Sequence, residues 1–290
     1  MKRILSHLAL TVALCSFPAL AAEDSTLQVP SRVTAGEAFS IPTSGSGQAT
    51  LYIAGQGQVL KREIRLGVPL KIEADELHSA GYYLASLCAP ECGQSVGFYV
   101  VAGAPASLSF MARPSRLPVG LKDGISGTVY PFDKFHNLVV QPQPLTFRLS
   151  TPQGPAITRM VDSHNGVAWV QLDSASKQGA AQFRASTAGI SVSRVVEQVA
   201  SDPCSLHMTA SLTKAGVLLQ TDPVRDCNGN PVPDGTIVTF TETHDNTVST
   251  VDAPVKRDFA RAQLPAYDHA TFSVAAGVVL GNEIHFGGGH

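Results

Sequence analysis

Past residue 24 the apolar side chains recur at every second position, and this period leaves little room for anything but β-structure. Leu206, Met208, Ala210 and Leu212 alternate with His207, Thr209, Ser211 and Thr213. Leu145, Phe147 and Leu149 alternate with Thr146, Arg148 and Ser150, and Phe183 and Ala185 with Gln182 and Arg184. Successive side chains of a strand point to opposite faces, so the pattern turns one face to a core and the other to water. The one helix candidate is residues 74–80, a short segment ended by Gly81. Strand-like stretches about 8–12 residues apart, punctuated by turn residues, read as β-sandwiches. The 25 glycines and 19 prolines supply that punctuation. The expected fold class is all-β, in tandem sandwiches.

Two parts of the chain also align with each other. Pro105-Ala-Ser-Leu-Ser-Phe110 matches Pro203-Cys-Ser-Leu-His-Met208, and Asp133-Lys-Phe-His-Asn137 matches Asp226-Cys-Asn-Gly-Asn230. Leu145-Thr-Phe147 and Val238-Thr-Phe240 follow, and β-rich tails close the copies at Gly189 and Gly277. A repeat of roughly 90–100 residues is one sandwich per copy. Small residues and proline interrupt the strands at Gly103-Ala104-Pro105 and at Ala200-Ser201-Asp202-Pro203. The division expected is an N-terminal β-sandwich-like domain over 22–103 and Ig-like domains over 104–200 and 201–290.

The segment Asp226-Cys-Asn-Gly-Asn230-Pro-Val-Pro-Asp-Gly-Thr-Ile-Val-Thr-Phe240 resembles the signature of the bacterial Ig-like domains of group 1, the repeats of invasin and intimin. The resemblance spans residues 203–286, and more loosely 105–199, where Phe135-His136 replaces the family's Asn-Gly. It implies rigid spacer modules of a cell-surface protein. The N-terminal part is not a third copy but still reads as β over 49–53, 58–66, 70–72, 82–87 and 96–101, and it is a candidate for the functional head. Within it, Leu77-His-Ser-Ala-Gly-Tyr-Tyr83 resembles the turn before strand F of Ig-like sandwiches, where a tyrosine hydroxyl bonds back to the backbone. The other reading is a pair of tyrosines on a surface turn.

Residues 1–21 read as a secretory signal peptide: Lys2-Arg3, an apolar run to Leu20, and the A-x-A site Ala19-Leu20-Ala21. As a retained span the run is shorter than the roughly 20 residues required and is broken by His7 and Pro18. An acylated cysteine is disfavoured because Leu14 precedes Cys15 in mid-run. The chain is thus expected in the periplasm, at the cell surface or secreted, with no transmembrane segment after signal removal. A formal net charge of −2 gives no basic field for nucleic acid.

Export changes how the cysteines read. Cys88, Cys92, Cys204 and Cys227 are an even set for an oxidising compartment. Three pairings exist, and proximity favours Cys88–Cys92 and Cys204–Cys227. Zinc on Cys88-Ala-Pro-Glu-Cys92 is the alternative, but a second ligand pair at metal-site spacing is missing.

Candidate chemistry is sparse. Gly93-Gln-Ser95-Val-Gly97 matches the nucleophile-elbow pattern, which needs a strand before the serine and a helix after it; Val96–Val101 reads instead as a strand. Asp133, Asn137, Asp226 and Asn230 offer hard oxygens, yet their neighbourhoods lack a calcium loop's acidic density, and a turn in which these side chains bond their own backbone is favoured. His285 and His290 are a tail pair that a copper or zinc ion could use, although a frayed end is favoured. Trp169 falls on the face opposite Ala168, Val170 and Leu172; packing at a bend or between domains is preferred over an exposed sugar-stacking platform. No catalytic, cofactor or metal residue is assigned. The expected function is a non-enzymatic adhesion or protein-interaction spacer whose partner is a protein or surface glycan. The rivals are a secreted carbohydrate-binding module and, more remotely, a serine hydrolase using Ser95.

Overall fold

The structure, a computed structural model, describes residues 26–93 and 95–286; residues 1–21, expected to be a signal peptide, and His290 lie outside them. Every regular element among these residues is a strand. They form two compact units, one ending at Val101 and the other beginning at Ala102.

The first unit has β1 (Arg32–Thr34), β2 (Phe39–Ile41), β3 (Gln48–Gly55), β4 (Gln58–Arg65), β5 (Leu70–Ile72), β6 (Gly81–Cys88) and β7 (Val96–Val101). Five of them make a sheet in the order β1-β7-β6-β3-β4, and β2 pairs with β5. β1 runs parallel to β7, whereas β3, β4, β6 and β7 pair antiparallel. Gln56 and Gly57 have φ of 49° and 73°, which gives the two-residue turn whose twist matches the β3–β4 hairpin. Alternation sends Leu51, Ile53, Tyr83 and Phe98 inward, and they are buried, as are Ile41 and Ile72. Residues 74–80 form turns rather than a helix. Asp75 sits at φ 67°, and the Glu73 N–H donates to Glu76 Oε2 at 2.8 Å. Seven residues do not recover the cost of nucleating a helix when local side chains already satisfy the backbone.

The second unit contains two apolar cores with no residue in common. The first lies between the sheets β13-β10-β8 and β12-β11-β14-β15-β9. These are built from β8 (Ser107–Arg113), β9 (Arg116–Pro118), β10 (Ile125–Phe132), β11 (Pro144–Ser150), β12 (Ile157–Asp162), β13 (Ala168–Leu172), β14 (Gly179–Thr187) and β15 (Ile190–Val199). Phe110, Phe147 and Phe183 fill its centre. The second core lies between β17-β18-β22 and β21-β20-β23-β24 and holds Met208, Leu219, Phe240 and Phe272. Its strands are β16 (Pro203–Ser205), β17 (Met208–Thr213), β18 (Gly216–Thr221), β19 (Arg225–Asp226), β20 (Ile237–His244), β21 (Thr247–Pro254), β22 (Arg261–Leu264), β23 (Ala270–Ala276) and β24 (Val279–Phe286). The architecture is all-β, two-sheet and Ig-like.

Cys88 is bonded to Cys92, and Cys204 to Cys227. The second bond ties β16 to the turn after β19 across 23 positions, and a loop of that size restricts the unfolded chain by about 3 kcal/mol. The double substitution Cys204→Ser, Cys227→Ser is expected to lower the urea-unfolding free energy of this part of the chain by that amount. Under the same assay Cys88→Ser, Cys92→Ser should cost less, because its loop spans only 4 positions.

Candidate functional site

The two Asp–Asn turns are built alike. Asp133 Oδ1 accepts the N–H groups of Phe135 and Asn137, both at 2.9 Å, while Oδ2 accepts the Asn137 side-chain amide at 2.9 Å and the Gly103 N–H at 3.0 Å. Asp226 Oδ1 accepts the N–H groups of Asn228 and Asn230 at 2.9 and 2.8 Å, while Oδ2 accepts the Asn230 amide at 2.9 Å and the Ser201 N–H at 3.1 Å. Each carboxylate is thus buried and surrounded by N–H donors, with its last donor drawn from the segment that leads into its own sandwich. Burial on its own would raise the proton affinity of both. The hydrogen bonds outweigh it, and both carboxyls lie below the ordinary carboxylate value. Oxygens occupied in this way hold a turn and offer no cage for a cation.

The second turn also reaches backward, into the sandwich that precedes it in the same unit. Asn230 Nδ2 donates to the Ser176 carbonyl at 2.9 Å, and Asn230 Oδ1 accepts the Gln178 N–H at 3.2 Å. Lys177 Nζ donates to the Asn228 carbonyl at 2.6 Å. Gly120 lets the Asn228 side chain approach so closely that a Cβ there would lie 2.9 Å from Nδ2. Cys227 belongs to this turn, so disulfide, carboxylate and inter-sandwich bonds occupy one short stretch of chain. Ser176, Lys177, Gln178 and Gly120 escaped the sequence reading, since they lie more than 50 positions from their partners and their types carry no chemical signature.

In the first unit Tyr83 is fully buried, and its hydroxyl lies 2.9 Å from the Ser79 carbonyl and 2.8 Å from Gln58 Oε1. Gln58 Oε1 also accepts the Ser79 N–H at 3.1 Å, so one amide ties the turn before β6 to the start of β4. Of the two readings for this segment, the hydroxyl-to-backbone corner is the one present. Tyr83→Phe is expected to destabilise the first unit by about 1–3 kcal/mol, because the Ser79 carbonyl loses the hydroxyl and Gln58 Oε1 keeps only its backbone donors. Thermal unfolding compared with Tyr82→Phe, whose ring is half exposed, isolates the effect of the hydroxyl.

Two aromatic surfaces are open to water. Trp169 is 61% exposed on the outward face of β13, opposite Thr128, which in turn faces Met111. It is therefore not the packing residue expected: that face of the β13-β10-β8 sheet is simply uncovered. On the outward face of the first unit's large sheet, Tyr82 and Tyr99 are direct cross-strand partners with ring centres 5.2 Å apart. The Tyr82 ring covers Gly97, where a Cβ would fall 1.9 Å from the hydroxyl oxygen. Leu84 and Tyr52 continue this half-exposed surface, and a shallow hollow of Gln48, Thr50, Tyr52 and Glu63 adjoins the Cys88–Cys92 loop.

Ser95 Oγ lies 2.6 Å from Ser86 Oγ, and the strand β7 follows it. The helix that a nucleophile elbow requires is not there. His285 Nδ1 lies 2.9 Å from Thr271 Oγ1. Among the described residues no three His, Cys, Asp or Glu side chains are grouped to hold a metal ion, and no helix is long and apolar enough to cross a membrane.

The two sandwiches of the second unit thus share a two-sheet, Ig-like arrangement and the same Asp–Asn turn. The fold is shared with solved bacterial structures. FdeC, a broadly conserved Escherichia coli adhesin, superimposes with a TM-score of 0.63 at 14% identity, over 92% of this chain and 98% of that one. InvD of Yersinia pseudotuberculosis gives 0.53 at 12% identity, over 93% and 99%. Invasin, a bacterial integrin-binding protein, gives 0.52 at 13% identity, over 88% and 57%. No protein-family profile and no curated protein matches the sequence.

Proposed function

We propose that the chain is an exported, non-enzymatic interaction protein of the bacterial periplasm or surface, in which three sandwich domains (22–103, 104–200 and 201–290) act as a spacer that carries a binding surface. The observation that carries this reading is the Asp226–Asn230 turn, which bonds its own entry segment and the preceding sandwich at once. A flexible linker would leave those donors to water; bonding them fixes the angle between two modules. The solved adhesins of the same fold support the surface role. So does the disulfide pair, which suits an oxidising compartment.

Stiffness is testable with spin labels at the exposed positions Met160 and Val248, one in each sandwich of the second unit. A single narrow distance distribution is expected, broadened in Lys177→Ala, Asn230→Ala; a broad distribution in the unsubstituted junction would remove the spacer reading. Binding of the purified chain to cell-envelope fractions tests the interaction role, and no retention there would count against it.

A carbohydrate-binding module is the second reading, favoured by the open Trp169 and the Tyr82–Tyr99 pair. It predicts glycan-array binding that disappears in Trp169→Ala or Tyr82→Ala.

A further inference from the structure

Along β20 the residues Val238, Phe240 and Glu242 share the inward face, so a carboxylate stands where the pattern calls for a third apolar side chain. Glu242 is 3% exposed, and its Oε1 accepts no hydrogen bond. Its cross-strand neighbours are Ser249 and Phe272. An unpartnered buried carboxylate is costly, and burial pushes this carboxyl up from its ordinary value against a smaller opposing pull from His244.

Glu242 lines a hollow with His244, Asp245, Thr247, Ser249 and Tyr267. The hollow opens between the β20–β21 hairpin and the loop that follows β22. Leu264, at the end of β22, pairs with Val217 at the start of β18, and β18 runs toward the Asp226 turn. The hollow therefore lies at the end of its module away from the junction, free of the bonds that join the two sandwiches. The Tyr267 ring meets the His244 ring edge-on at 4.6 Å, and His244 Nδ1 lies 3.3 Å from Asp245 Oδ2 at the exposed rim. The lining thus has two carboxylates, two aromatic rings and three hydroxyls, and no lysine or arginine.

We propose that this hollow receives the cationic end of a lysine or arginine side chain presented by a partner polypeptide. A guanidinium or ammonium group at Glu242 makes the charge-assisted hydrogen bond that the carboxylate lacks. Tyr267 offers a ring to the cation, and Asp245 at the rim draws it in. A long, thin side chain suits a carboxylate set behind the rim. A metal ion does not suit it, because no three ligating side chains converge there among the described residues. The proposal rests on the interaction reading above and gives the partner's recognition group a chemistry.

The test titrates the full chain with Nα-acetyl-arginine methylamide, its lysine counterpart and the neutral isostere Nα-acetyl-citrulline methylamide, following the His244 ring and the Thr247 amide by NMR. Saturable shifts are expected with arginine or lysine, with affinity at least tenfold weaker for citrulline. Glu242→Gln keeps the shape and should lose at least tenfold in affinity, while Asp245→Asn loses less. Equal binding of citrulline, unchanged binding in Glu242→Gln, or no saturable shift with either cation would overturn the proposal. Envelope binding that survives Glu242→Gln, together with any of these results, would sink the hollow while leaving the interaction reading standing.

Discussion

Asp226→Ala should lower the stability of the C-terminal sandwich by about 3–5 kcal/mol, the range for breaking a buried, fully hydrogen-bonded charge network. The reason is the number of groups that depend on one side chain. The N–H groups of Ser201, Asn228 and Asn230 and the Asn230 side-chain amide all donate to this carboxylate, which is 3% exposed. Asp226→Asn does not rescue it, since half of the new amide would point N–H at N–H. Acid should act as a milder form of the same substitution. The folded carboxyl lies below its ordinary value, so its stabilisation is complete above the unfolded carboxylate's pKa and is lost as pH falls from there through the folded value. Urea unfolding at neutral pH and near pH 3 measures both effects. Equal unfolding free energies for Asp226→Ala and the parent chain at neutral pH would show that the network contributes nothing. Asp133→Ala should reproduce the loss in its own sandwich, because its bonds match one for one.

Phe183→Ala should cost the preceding sandwich about 3–5 kcal/mol, the usual consequence of removing a buried ring from a packed core. Phe183 is fully buried and meets Phe110 edge-on at 5.1 Å and Phe147 at 6.2 Å. Across the core its ring tip lies against Gly127, where a Cβ would fall 2.6 Å away. Gly127→Ala alone therefore overpacks the core, at a cost of about 1–3 kcal/mol. Once the Phe183 ring is gone only Phe110, 3.1 Å away, still presses on the added methyl, so the double variant should be more stable than the sum of the single losses allows. Chemical denaturation of all four members of the cycle measures this coupling, and strict additivity would show that Gly127 and Phe183 are not in conflict.

The fold was readable because alternation is local and strong: residues 145–149 and 206–210 declare their faces without reference to the rest of the chain, although Leu212, of the same parity, is 67% exposed. The cysteine pairing was readable for a similar reason, each partner lying within 23 positions of the other. The donors of the Asp–Asn turns sit at the second and fourth residues on, within reach of an argument from residue type and spacing. What sequence could not supply was contact across sandwiches. Nothing about Ser176, Lys177 or Gln178 marks them as partners of a turn some 50 positions away. Trp169 was set on the correct side of its strand, but whether that side is covered depends on whether another layer lies over the sheet, which periodicity does not report. Glu242 carried a signal that went unread. It shares the parity of Val238 and Phe240, and a carboxylate on the apolar parity of a strand marks a buried charge.

The placement of the Cys204–Cys227 bond bears on how the chain would respond to tension. Pulled from its N-terminal side, the last sandwich receives the load at Ser201, whose amide is held by Asp226, and three residues later at Cys204. From there force passes through sulfur to Cys227, and β17 and β18 are bypassed. The enclosed segment, about 80 Å when fully drawn out, is withheld from extension as long as the bond is intact. Under load, that segment can add to the length of the chain only once the bond is reduced.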